Sequence, residues 1–160
     1  MSIVTRTLCT LAAMALATCA FAQVPLKVEG AWVRSSVPGQ QGTGAFMKLT
    51  STQPLQLVGV STPVAGAADV HEMKMEGDLM TMRPVDKLDL PPGHTVELKP
   101  GGYHLMLQDL KKTLSPGATV PLTLVLRDAK GVESKLELKL PVATRAPVAG
   151  AAAPTDGHKH

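Results

Sequence analysis

Cysteine is nearly missing from this sequence. There are two, Cys9 and Cys19, and both fall in the first 22 residues. Residues 1–22 read as an export signal. Arg6 gives a short basic start, Leu8 to Ala17 an apolar stretch, and Ala20-Phe21-Ala22 a small-residue cleavage site. Cleavage there leaves a chain that begins at Gln23 and carries no thiol. Such a chain has no disulfide, no thiolate nucleophile and no cysteine-based metal site, although its compartment is oxidising. A blue-copper electron-transfer site is excluded too, since it needs a cysteine ligand. Two other readings of the segment stay open. One is a membrane anchor, against which the run is short and lacks a stop-transfer flank. The other is lipidation at Cys19, against which Thr18 stands where Gly, Ala or Ser is usual.

Aromatic residues are almost as scarce: Trp32, Tyr103, Phe21 and Phe46 are all there are. A base-stacking platform is therefore excluded. Charge of one sign is lacking as well. Sixteen Lys and Arg face 13 Asp and Glu, and losing Arg6 with the signal leaves 15 against 13. So small and scattered a surplus makes no basic stripe for nucleic acid. Nor is there a Ser/His/Asp order, a pair of carboxylates in an expected cleft, or an open carboxylate–histidine metal site. Hydrolytic chemistry is disfavoured, no catalytic residue is assigned, and the chain is read as a non-enzyme.

What the sequence has is punctuation. Gly and Pro recur every 8–12 residues from about Lys27 to Val142, as in Pro38-Gly39, Pro91-Pro92-Gly93, Pro100-Gly101-Gly102 and Ser115-Pro116-Gly117. Between them lie segments of period-two alternation: Lys27–Ser36, Gly44–Ser51, Leu55–Ser61, Ala68–Met75, Leu79–Val85, Thr95–Lys99, Tyr103–Asp109, Thr119–Arg127 and Val132–Leu140. Short strands at that spacing predict an all-β antiparallel sandwich or barrel over residues 23–142. The last two segments predict a hairpin, with Leu122, Leu124 and Leu126 facing inward on one strand and Leu136, Leu138 and Leu140 on the other. Residues 143–160, rich in Ala and Pro and ending His158-Lys159-His160, read as a disordered extension.

The unusual feature is a cluster of methionine and histidine. Met73, Met75, Met80, Met82 and Met106 share one window with His71, His94 and His104. Residues two apart on a strand share a face. His71, Met73 and Met75 therefore sit together, as do Met80 and Met82, and His104 and Met106. A turn at Glu76-Gly77-Asp78-Leu79 would set Met75 beside Met80 and Met73 beside Met82, with His71 one step beyond. Thioether sulfur is soft and neutral. It suits Cu(I) and tolerates silver, and it is a poor ligand for zinc, magnesium or calcium. Two thioethers and two imidazoles hold a monovalent soft ion without a thiol to oxidise, and release it stepwise because each sulfur bond is weak.

At these residues the sequence resembles the periplasmic copper chaperones of the PCuAC family. Their signature is His, ten residues, Met, twenty-one residues, then His-x-Met. His71, Met82, His104 and Met106 reproduce it without a departure. The flanks look alike too: Gly30-Ala31-Trp32-Val33-Arg34, Thr43-Gly44-Ala45-Phe46-Met47, His71-Glu72-Met73, Met82-Arg83-Pro84-Val85 and Lys99-Pro100-Gly101-Gly102-Tyr103-His104. The likeness spans about residues 27–140. It implies a cupredoxin-like Greek-key β-sandwich in which His71, Met82, His104 and Met106 ligate one Cu(I) near the surface. It further implies a periplasmic carrier that passes copper towards the dinuclear copper centre of cytochrome oxidase, alongside Sco-type thiol proteins. Some members bind a second copper, Cu(II), through a tail bearing Met and His. This tail has His158 and His160 but no Met.

The remaining residues have competing readings. Met73 is the best spare ligand, while Met75 and Met80 read as packing around the site. His94 reads as a surface residue, Met47 as core, and Trp32 as core or a shield for the site. Glu72 and Arg83 read either as exposed strand residues or as groups that orient an imidazole. Two other functions share the pattern: a copper or silver sequestering protein, and a structural domain whose methionines merely pack.

Overall fold

The structure, a computed structural model, describes residues 23–148. The export signal with Cys9 and Cys19, and the tail histidines His158 and His160, lie outside these residues. Every regular element among the described residues is a strand: β1 (Leu26–Arg34), β2 (Gly42–Ser51), β3 (Leu55–Ser61), β4 (Ala65–Glu76), β5 (Leu79–Pro84), β6 (Leu88–Leu90), β7 (Thr95–Leu98), β8 (Tyr103–Leu110), β9 (Thr119–Asp128) and β10 (Glu133–Ala143). The expected strands are all present. The short β6 was not among them.

The strands follow the spatial order β5-β4-β8-β2-β1-β10-β9-β3-β6, with β7 on β2 beyond the end of β8. The path falls into two layers, β5-β4-β8-β2-β1 and β10-β9-β3-β6. They are joined where β1 and β10 run parallel over Val33↔Val142 and Arg34↔Ala143. The other strand pairs are antiparallel.

Alternation decides what lies between the layers. Val33, Ala45, Met47, Leu49, Val70, Leu105 and Leu107 come from the first layer. Leu55, Leu57, Leu122, Leu124, Leu126 and Leu140 meet them from the second. The leucine hairpin forms as expected, with Leu138↔Leu122 and Leu136↔Leu124 in register. Met47 is 2% exposed, a core residue.

One irregularity matters for the site. The β1–β2 register slips between Glu29 and Trp32, where Gly30 takes a φ of +58°. An extra residue in one strand reverses the facing of everything after it. Val28 faces the core with Leu49. Without the bulge Trp32 would face it too. With it, Trp32 pairs with Phe46 on the outer face.

Candidate metal centre

The outer face of the first layer carries the methionine and histidine cluster. On β8, Leu105 and Leu107 fill the core, so His104 and Met106 project the other way. On β4, Val70 points inward and His71 outward. β4 and β8 are direct neighbours in the register His71↔His104 and Asp69↔Met106. The two imidazoles are therefore side by side, with ring centroids 6.0 Å apart and planes inclined by 49°. Met106 lies on one diagonal of His71, within reach of a long side chain.

β5 completes the face. The β4–β5 hairpin has the expected register, with Met73↔Met82 and Met75↔Met80. Met82 lies on the other diagonal of His71, on the outermost strand, and is 49% exposed. The four residues of the spacing pattern thus share one face. His71, His104 and Met106 are close neighbours, and Met82 stands one strand further out, half-exposed. Met73 takes the place between Met82 and His104, its amide donating to the Gly102 carbonyl at 3.1 Å.

A hollow of about 310 Å³ opens beside them. Met73, His104 and Met106 line it with Phe46, Gly42 and Gly44. Gly44 stands opposite Met106 in β2, and the Phe46 ring folds back over it. A Cβ on Gly44 would lie 2.7 Å from Phe46 Cζ. Trp32 stacks behind Phe46 at 4.9 Å, and the Phe46 ring is 6.5 Å from that of His104. Trp32, Phe46 and His104 all face outward yet are 5%, 5% and 7% exposed, because they cover one another. Trp32 shields the site through Phe46.

The two imidazoles are held differently. Nδ1 of His104 lies 3.2 Å from the Gly102 carbonyl oxygen. A carbonyl can only accept, so Nδ1 donates, which in the neutral ring leaves the lone pair on Nε2. His71 Nδ1 is closed off from solvent and has no hydrogen-bond partner. Burial pushes the His71 pKa below its ordinary value, repulsion from His104 lowers it further, and the Asp69 carboxylate only partly opposes both. A neutral imidazole with an unpartnered buried nitrogen, beside soft sulfur donors, fits a soft cation. A hard-metal site does not fit: among the described residues no three His, Asp or Glu side chains form a metal-holding group.

Glu72 and Arg83 do not orient an imidazole. They pair with each other at 3.2 Å on the opposite face of the hairpin. Glu72 also faces Tyr103 across β4–β8, where burial and the carboxylate push the phenol pKa up. His94 is exposed, away from the site. Gly42, Gly44 and Phe46 were not read as site residues. The one signal in the sequence for Gly44 and Phe46 was the block Thr43-Gly44-Ala45-Phe46-Met47, and Gly42 had none.

The family described as LpqE-like matches residues 26–142. The chain belongs to the LpqE-like family. A relative in Leifsonia xyli subsp. xyli, named as a lipoprotein (Lxx21020), is 30% identical over 104 residues. That match spans 64% of this chain and 63% of the relative, so the chain covers less than two thirds of that protein's length. Among solved structures, Cu(I)-DR1885 from Deinococcus radiodurans is 34% identical with a TM-score of 0.60, over 80% of this chain and 85% of that one. The apo PCuAC domain from PmoF1 is 27% identical with a TM-score of 0.57, over 74% and 95%. The resemblance to PCuAC domains therefore holds in three dimensions as well as in sequence. The cupredoxin-like all-β architecture is theirs.

Proposed function

We propose that this chain is an exported Cu(I) carrier that holds one ion between His71, Met82, His104 and Met106 and hands it on intact. The observation that carries this reading is His71 directly opposite His104, with Met106 at the next outward position of the same strand. A structural role alone would not leave a buried His71 nitrogen unpartnered beside an outward-facing thioether. DR1885, solved with Cu(I), supports the choice of metal.

The donors suit delivery. Neutral imidazole and thioether leave the ion its single positive charge and bind it without releasing a proton from sulfur. Met82, half-exposed on the outermost strand, is the ligand a recipient can replace first. His104, held by Gly102 and covered by Phe46, is the last to let go. The recipient in this reading is the copper subunit of cytochrome oxidase, with Sco-type thiol proteins acting alongside. The place of action is the periplasm, after loss of residues 1–22 or, as the lipoprotein name of the Leifsonia relative suggests, after lipidation at Cys19. The tail histidines His158 and His160 would add a Cu(II) site.

Copper K-edge absorption on the reduced, loaded protein tests the ligand set. Two nitrogen and two sulfur neighbours are expected. A shell of nitrogen and oxygen alone would overturn the reading. Mixing the Cu(I) form with an apo oxidase copper domain tests delivery. Copper that stays behind against a favourable affinity gradient would make this a sequestering protein instead.

A further inference from the structure

The copper site uses one methionine of the β4–β5 hairpin, and the hairpin has four. Met73↔Met82 and Met75↔Met80 are direct cross-strand pairs on one face, so their thioethers form two successive rungs running from His71 to the turn. Met73 is half-buried beside the histidines, but the other three methionines are not packing. Met75, Met80 and Met82 are 57%, 46% and 49% exposed, whereas the core methionine Met47 is 2% exposed. The hairpin's other face does not need them either. It carries the Glu72–Arg83 ion pair, Lys74 and Thr81, whose hydroxyl donates to the Lys74 carbonyl at 3.3 Å. A hairpin arm open to water on both faces is expected to be polar on both. This one is polar on one and lined with thioethers on the other.

Its geometry is fixed. Only Gly77 and Asp78 separate the strands, and Gly77 has a φ of +67°, as a II′ turn needs at its first central position. A two-residue turn sets the register, so the paired methionines face each other in the folded state without ordering a loop. Two neutral soft donors held side by side clamp a monovalent soft ion weakly, and the Glu76 and Asp78 carboxylates at the turn are hard donors that such an ion disfavours.

We infer that the outer rung, Met75 with Met80, is a second and weaker Cu(I) site that captures the ion at the hairpin tip and passes it over Met73 and Met82 to the histidine pair. The inference rests on the copper reading above and extends it to the route by which the ion arrives. No bond other than sulfur–copper and nitrogen–copper forms or breaks, and the ion stays cuprous throughout.

The test is a titration of the full exported chain with silver nitrate, followed by the methyl signals of 13C-labelled methionine. Silver is soft, monovalent and redox-inert, so it stands in for Cu(I). The first equivalent is expected to shift Met106 and Met82, and the second Met75 and Met80. The double variant Met75→Leu/Met80→Leu keeps the first equivalent, loses the second, and loads more slowly from a water-soluble Cu(I) chelator. Leucine preserves apolar bulk at exposed positions, so folding is unaffected. A first equivalent that binds while the Met75 and Met80 methyls stay fixed through the second overturns this inference and leaves the carrier reading standing. An unchanged loading rate in the double variant overturns the capture role. If no equivalent moves the Met106 or Met82 methyls, the carrier reading falls, and this one with it.

Discussion

The two faces of the β5-β4-β8-β2-β1 layer are made from the same strands and differ in almost everything else. On β8, Leu105 and Leu107 are fully buried between the layers, and His104 and Met106 stand on the other side of the same backbone. The inner face is aliphatic and shared with β9 and β10. The outer face is a thin patch of imidazole, thioether and two stacked aromatic rings. The lesson is a division of labour by parity. Residues of one parity hold the fold, and their immediate neighbours can be chosen for chemistry, because no core packing depends on them. Substitutions on alternate positions should therefore have opposite signatures.

The largest effect on stability belongs to the inner face. Leu107→Ala is expected to cost about 2–5 kcal/mol by urea unfolding, because the cavity it opens lies in the packed core. The fraction that remains folded should bind Cu(I) as the parent does. Lost metal binding in that fraction would mean the faces are not separable. Next comes Gly44→Ala, which straddles the two. Its methyl meets Phe46 Cζ at 2.7 Å, so the ring must leave its seat over β2. About 1–3 kcal/mol of destabilisation is expected, with a changed near-ultraviolet signal from Trp32 and weaker copper binding.

Met106→Leu sharpens the comparison from the outer side. It keeps the volume and should change stability by less than about 1.5 kcal/mol. Cu(I) affinity, measured by competition with a chelator, should fall steeply. Unchanged affinity would remove Met106 from the ligand set.

Acid gives the mildest test. The His71 pKa lies below 6.5 in the folded chain. Between that lowered value and about 6.5, the unfolded chain binds more protons than the folded one. The His71 contribution to stability is therefore complete above about 6.5 and is lost as pH falls through the window. The apo melting temperature should drop there in the parent and not in His71→Asn. Copper competes for the same imidazole, so a lowered pKa means retention below pH 6.5.

Much of this was legible in the sequence, and the reasons are local. β3 runs from Leu55 to Ser61, the bounds its punctuation suggested, because Pro54 and Pro63 flank it. The pairing of Met73 with Met82 was legible because a two-residue turn leaves one register. β6 was not, since three residues between Lys87 and Pro91 are too few to display a period. Which strand sits on the other edge of β4, away from β5, was not legible either. Pairing with β8 is long-range, and no turn dictates it. The outward turn of Trp32 was hidden for a different reason. Simple alternation from Val28 assigns it to the core, and only the bulge at Gly30 reverses that. The glycine floor under Phe46 needs three strands in place before its purpose is visible.

The gradient of exposure among the methionines also sets how the molecule ages. Hydrogen peroxide adds one oxygen to a thioether and leaves a polar sulfoxide, a harder donor unsuited to a cuprous ion. Attack follows accessibility, so the hairpin tip at Met75 and Met80 is oxidised before half-buried Met106, and Met47 last of all. Met75, Met82 and Met80 on the hairpin then take the first of the damage, so the centre loses its outermost sulfur early while Met106, beside the histidines, outlasts it.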